Sequence, residues 1–389
     1  MAAPLPVSPE LEALGACCIA DDPTLRSTLA RLGPALDPAR LESLAAAHSV
    51  AGIVAARMPK AAPGLLPPAA AERLSARVHA DTALGMAQAR LTMAAVRTLE
   101  AAEIASLVMK GAALARQLYG DHPEWRPSND IDLLVSPRDF AAAGRALEAA
   151  GWVRTWPTRL PSPRAAPMFD FLANVFNYEW PANGQVLELH HRLSPNPFWM
   201  TQDFAAIAAD GEDVDLGCGT VRAPGGPILI AYLAWHAFSL YVFRLKWFND
   251  LALALRAVGA TSCAQACAGG AFEAGPLRLA DAVLGALFPG AGLGISPAPK
   301  EYDRSVRQVL RALETPTDPF ERRTLARLPV EFADVMRRRG ISSRRARAWD
   351  LLYTLSDPRD AETLRLSPRW SLVYCLGGPF LAIGRWLTR

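Results

Sequence analysis

Lysine is almost missing. Only Lys60, Lys110, Lys246 and Lys300 occur in 389 residues, and nearly all of the 41 basic residues are arginine. Each lysine is therefore a position to examine. A surplus of one charge sign is also missing. The formal net charge is +3, too small to demand a nucleic-acid or membrane partner. Cysteine is sparse: Cys17, Cys18, Cys218, Cys263, Cys267 and Cys375 form no CxxC and no paired framework. That argues against a disulfide-stapled secreted scaffold and for free thiols in a reducing cytoplasm. Cys263 and Cys267 stand four apart, but no histidine or acid beside them completes a metal site. The first residues lack the basic and apolar regions of a signal peptide, so a cytoplasmic protein is expected.

Long apolar runs are few. Ala223 to Phe243 is uncharged and long enough to span a bilayer, yet it opens on Pro-Gly-Gly-Pro and carries His236 and Ser239. A buried core helix from near Pro227 is the better reading, with His236 a core histidine. Trp370 to Gly384 is shorter, interrupted by Gly-Gly-Pro and flanked by Arg365, Arg369, Arg385 and Arg389. A C-terminal segment docked on the protein is expected there, with a weak membrane-surface contact through 370–389 as the alternative.

What is present suits a globular protein with a full core: 51% of residues are hydrophobic and 20% charged. Residues 1 to about 57 repeat apolar positions at helical spacing, and a Pro-rich connector covers 59–72. A long helix over 71–103 follows. The pattern then shortens. A strand runs over 104–111 and a helix over 112–120, and "NDIDLLV" is a second strand. A helix over 136–151 has Ser136 at its N-cap and Gly151 past its end. "WVRTW" is a strand, and 157–167 a mobile Pro- and Arg-rich loop. "FDFLANVFNYEW" and "QVLELHHRL" bracket "PANG" as a hairpin. From about Pro227 the chain is helical again, ending in Arg-rich helices. The fold class is α+β, a small mixed sheet between helical flanks. The divisions are 1–85, 86–224 and 225–389.

The central strand poses an electrostatic problem. In "RPSNDIDLLV", Asp130 and Asp132 share one face and Ile131, Leu133 and Val135 the other. Two carboxylates on a packed strand are costly unless something compensates them. A divalent cation does so, and Mg²⁺ favours a few carboxylates plus phosphate oxygens. Two such ions can clamp a phosphoryl displacement, which usually needs a third carboxylate. Glu188 is the candidate, and His190 lies on its face. The Lys110-Gly111-Ala112-Ala113 turn fits a phosphate cradle: glycine admits the phosphate, and the next helix offers its first N–H groups. Lys110 and Arg126 would add positive charge. The competing structural readings are an Asp130 strand cap, an Asp132 salt bridge to Arg126 or Arg192, and a Lys110 ion pair with Asp130 or Glu188.

Leu107 to Trp152 resembles the core of an uncharacterised nucleotidyltransferase-like family within the DNA polymerase β-type nucleotidyltransferase superfamily. "MKGAA" is similar to its turn, "RPSNDIDLLV" to its DxD strand and "VLELHHRL" to its third-carboxylate strand. "LAWHAFSLYVFRLKWFNDLALAL" resembles its helical segment, and the likeness covers most of 40–260. The resemblance implies Mg²⁺ or Mn²⁺, two ions held by Asp130 and Asp132, with Glu188 as the third ligand or as the base on the acceptor. It also implies an NTP lying against Lys110, Gly111, Ala112, Arg126, His190 and Lys246, and an acceptor that is a small molecule, peptide or protein. By analogy with toxin-type relatives, Asp250 is a candidate base beside Lys246; a helix-surface Lys246–Asp250 pair is the alternative. Two departures stand out: Gly-Ala replaces the usual Gly-Ser, and His191 the usual Trp. Glycosyl transfer from a nucleotide sugar and a non-catalytic nucleotide-binding scaffold are the rival functions.

Overall fold

The computed structural model describes residues 7–195, 200–239, 243–259, 261, 262, 265, 275–287, 303–315, 348, 352 and 356–387. Cys263, Cys267, Lys300 and the Arg-rich segment 321–347 lie outside the described residues.

Four short helices open the chain: α1 (Pro9–Ile19), α2 (Asp22–Leu32), α3 (Pro38–Ala47) and α4 (Ala51–Ala61). The first three begin alike. Ser8, Asp21 and Asp37 each accept a backbone N–H from the first turn, and a proline follows where no donor is needed. Ser49, at φ 57°, separates α3 from α4. Helix α4 runs through Pro59 to Ala61, so the expected connector shrinks to 62–67. A proline that late costs only one helical hydrogen bond. Helix α5 (Pro68–Ala101) is close to its expected span, and its second half buries Gln88, Thr92, Met93, Val96 and Leu99.

The sheet is mixed, as expected. It comprises β1 (Ser106–Val108), β2 (Asp130–Val135), β3 (Val153–Trp156), β4 (Val175–Trp180) and β5 (Gln185–His190), in the order β1-β2-β5-β4-β3. Only β2 and β5 run parallel; the other neighbours are antiparallel. Helix α6 (Gly111–Tyr119) links β1 to β2, α7 (Phe140–Ala149) links β2 to β3, and α8 (Ala166–Leu172) precedes β4.

Two expectations fail locally. Helix α7 starts at Phe140, because Ser136 closes a turn instead of capping: its carbonyl accepts from Asp139 N, and its Oγ from Arg138 N. "FDFL" is helical, not extended. Pro167 starts α8, and Met168, Phe169 and Leu172 bury one helical face, so packing overrides the aromatic strand propensity. The 157–165 loop is anchored by Arg154 to the Pro157 carbonyl and by Ser162 to Glu362.

The two sheet faces are chemically distinct. Ile131, Leu133, Val135, Leu187, Leu189, Phe176 and Tyr178 pack with α5 and α7 in one apolar cluster. The opposite face carries the acids, with Leu107 and Leu134 joining a second cluster built largely from α1–α4 and two later helices. These are α10 (Gly226–Ser239) and α11 (Leu245–Val258), reached through α9 (Phe204–Ala209) and the hairpin β6 (Glu212–Asp215) and β7 (Thr220–Ala223). Helix α10 begins next to Pro227, as expected. The N-terminal helices and the helical segment from α10 thus share one core.

His48 joins those segments. Its Nε2 donates to the Leu313 carbonyl at 2.9 Å, and its Nδ1 accepts from Leu245 N at 3.3 Å. Only the neutral ring can do both, since protonating Nδ1 would turn an acceptor into a second donor. Burial, outweighing the Leu313 bond, lowers its pKa from 6.5 to about 4. The unfolded chain therefore takes up a proton that the folded chain refuses. This site's contribution is complete above pH 7 and falls as pH drops from 6.5 towards 4, by about 3 kcal/mol. Urea titrations across that range should show a pH-dependent loss in His48→Gln that is shallower than in wild type by about 3 kcal/mol.

Candidate active site

The parallel pairing of β2 with β5 builds the site. Its register sets Asp130 beside Val186, Asp132 beside Glu188 and Leu134 beside His190. Neighbours in a parallel pair project to the same face, so Asp130, Asp132, Glu188 and His190 share one surface. The antiparallel β4 adds Asn177, directly opposite Glu188.

Asp132 is wholly buried. Lys110 Nζ lies 2.9 Å from its Oδ1, and His190 Nε2 lies 3.4 Å from the same atom. His190 Nε2 is also 3.3 Å from Glu188 Oε2. One imidazole nitrogen thus stands between two carboxylates. These contacts are close but poorly aligned, and neither Asp132 oxygen has a hydrogen bond of good geometry. A buried carboxylate in that condition fits a cation-binding role. Ligand atoms of Asp132, Glu188 and His190 all lie within 4.8 Å of one another, a donor set that fits a divalent cation. Asp130 stands outside that trio, half-buried, its Oδ1 accepting from Ser128 Oγ at 3.0 Å.

The electrostatics follow from this packing. Burial depresses the His190 pKa, but bonds to Asp132 and Glu188 outweigh it and the net direction is upward. Burial raises the Glu188 pKa, yet His190 and then Lys110 bring it below the ordinary carboxylate value. Burial likewise works against the Lys110 ammonium, and Asp132 more than compensates.

The turn before α6 is shaped for close approach. Gly111 has φ 63°, and a Cβ there would lie 3.1 Å from the Asp130 carbonyl. Gln88, buried on α5, donates to that carbonyl at 2.9 Å, and Met109 N donates to the Asp132 carbonyl at 3.0 Å. The turn and the acids are thereby held at a fixed spacing. Ala112 follows at the helix start, where the first N–H groups have no intrahelical acceptor.

Arg126 and Asp250 form a second buried pair, Nε to Oδ2 at 2.9 Å. The other oxygen of Asp250 accepts from Tyr119 Oη at 2.9 Å, and Asn249 donates to that hydroxyl at 2.8 Å. Burial, then Asp250, raises the Tyr119 pKa well above normal. Asp250 thus faces Arg126 and Tyr119. Arg126 pairs with it, not with Asp132, whose partner is Lys110. Arg192 donates instead to the carbonyls of Ala173 and Phe171. Lys246 donates to the Pro127 carbonyl at 2.9 Å, so this is its partner and not Asp250. Burial and then Arg126 bring its pKa down to about 8. Beside these cations, His236 packs against Trp247 with ring centroids 4.9 Å apart, and burial keeps its pKa well below normal. His191 is a packing residue, its ring against Phe140 and its Nε2 at the Ala173 carbonyl.

Residues 34–278 match a family described as uncharacterised nucleotidyltransferases. The chain belongs to that family. No curated protein and no solved structure gave a match. For a nucleotidyltransferase, three carboxylates on one sheet face beside a glycine turn and three buried or half-buried cations is an apt arrangement.

Sequence reading missed Asn177, Gln88 and Tyr119. Counting back from the "PANG" turn places Asn177 opposite Glu188, so that signal was present. Gln88 and Tyr119 act across elements distant in sequence, and no local pattern marks them.

The Arg126–Asp250 pair yields a direct test. Asp250→Ala would strand a guanidinium that is 3% exposed, costing about 3–5 kcal/mol in urea unfolding. Tyr119→Phe should cost less, about 2 kcal/mol, since Arg126 keeps its partner while Asp250 and Asn249 each lose one hydrogen bond.

Proposed function

We propose that this nucleotidyltransferase moves a nucleoside monophosphate group from an NTP to a hydroxyl or phosphate acceptor on a small molecule, peptide or protein. The observation that carries the reading is Asp132, buried beside Glu188 with both oxygens lacking a well-formed hydrogen bond. Asp130, Asp132 and Glu188, with His190 adjoining, would hold Mg²⁺ or Mn²⁺, two ions in the full complex. When bound, the cations would neutralise charge developing on the α-phosphate and the leaving pyrophosphate.

The remaining work falls to side chains of this chain. Gly111 lets the phosphates approach the backbone, and the α6 N-terminus presents its N–H groups to them. Lys110, Arg126 and Lys246 supply positive charge along the triphosphate. Asp250 acts as a positioning residue that fixes the Arg126 guanidinium. For a hydroxyl acceptor, its oxygen bonds to the α-phosphorus as the bond from that phosphorus to the bridging oxygen breaks. The electron pair leaves with pyrophosphate, and the acceptor proton passes to Glu188. His190 holds that carboxylate in place.

Incubation with each α-labelled NTP, Mg²⁺ or Mn²⁺ and a cell extract tests the reading. Label should move to an acceptor, and Asp132→Asn should lower that transfer at least about a hundredfold, the scale of several kcal/mol of lost charge stabilisation. The half-buried Asp130→Asn gives a second variant with less structural risk, and melting temperatures control for folding. Failure to bind any NTP with either metal, or undiminished transfer by both variants, rejects the proposal. Transfer only from a labelled nucleotide sugar would assign glycosyl transfer instead.

A further inference from the structure

The C-terminal helix Ser371–Leu387 docks by one face only. Tyr374 is fully buried in the sheet-side core, and its hydroxyl donates to the Leu366 carbonyl and accepts from Leu366 N. Among the described side chains, its outer face is apolar and exposed. Leu372 is 75% exposed, Leu376 74% and Phe380 75%, one helical turn apart, with Trp370 at 58% just before them. Four large apolar side chains in one stripe exceed the scattered exposure usual on a soluble surface.

The segment that carries this stripe is basic. From Thr363 to Arg389 the chain holds four arginines and no acid. Arg369 is exposed beside Trp370, and Arg365 is exposed while touching Glu362. The loop tied to Glu362 by Ser162 carries exposed Arg159, Leu160 and Arg164. A helix of 17 residues reaches about 25 Å, short of a hydrocarbon core of about 30 Å. Among the described residues, no helix is long and apolar enough to cross a membrane.

We infer that this face docks in the plane of an anionic lipid surface. The aromatic at the helix start, the apolar stripe and the basic flanks match what an interfacial helix needs. A second copy of the chain fits less well. The segment has arginine near both ends and no acid, so parallel and antiparallel pairing alike set arginine against arginine. The inference is independent of the chemistry at Asp132.

Co-sedimentation of the full chain with vesicles tests it. Binding is expected to vesicles mixing phosphatidylglycerol with phosphatidylcholine, to weaken with added salt, and to be about tenfold or more lower on pure phosphatidylcholine. The double variant Leu376→Asp/Phe380→Asp should lose at least tenfold of that binding. Both side chains are exposed, so its melting temperature should stay at the wild-type value. No binding to anionic vesicles at low salt overturns the inference, as does equal binding by the double variant. A dimer in sedimentation velocity that the double variant abolishes, without vesicle binding, would assign the face to a second copy.

Discussion

A carboxylate without solvent sits in the middle of the sheet, and the surrounding structure is organised around compensating it. Asp132 cannot be hydrated, so its partners must be built in. Lys110 arrives from the β1–α6 turn and His190 from β5. Neither contact is well aligned, so both Asp132 oxygens keep bonding capacity although a cation lies close by. Such a group can take a further cationic partner without first breaking a well-formed hydrogen bond.

The second buried pair applies the same rule a short distance away. Arg126 is costly to bury, and Asp250 with Tyr119 meets that cost from α11 and α6. The helical segment therefore does more than cover the sheet: it fixes the direction of a charge on the loop that leads into β2. Lys246 braces the same loop through the Pro127 carbonyl.

Much of this was legible in the sequence, and the reasons are specific. Asp130 and Asp132 share a face because strands alternate, and "PANG" fixes which residues of β4 meet β5. Those are local rules, and they delivered the sheet and the acids. The partner of each charge was not legible. Arg126 was weighed against Asp132 and found Asp250; Lys246 was weighed against Asp250 and found a carbonyl. Such choices depend on how helices pack, and helical periodicity tells only which face is apolar, not what covers it. His48 shows the limit most clearly. It carried no pattern at all, yet it joins α3, α11 and the helix ending near Leu313.

The parallel union of β2 and β5 also has a bearing on how the molecule comes into being. Residues 132 and 188 meet across the intervening α7, β3, α8 and β4. Pairings of that kind close long loops and form slowly compared with hairpins and helices. The hairpin of β4 and β5 is a local pairing, whereas the candidate site needs β2 beside it. That site therefore rests on a long-range contact of the sheet. A chain lacking that one pairing would keep its local helices and hairpin but would not bring Asp132 to Glu188.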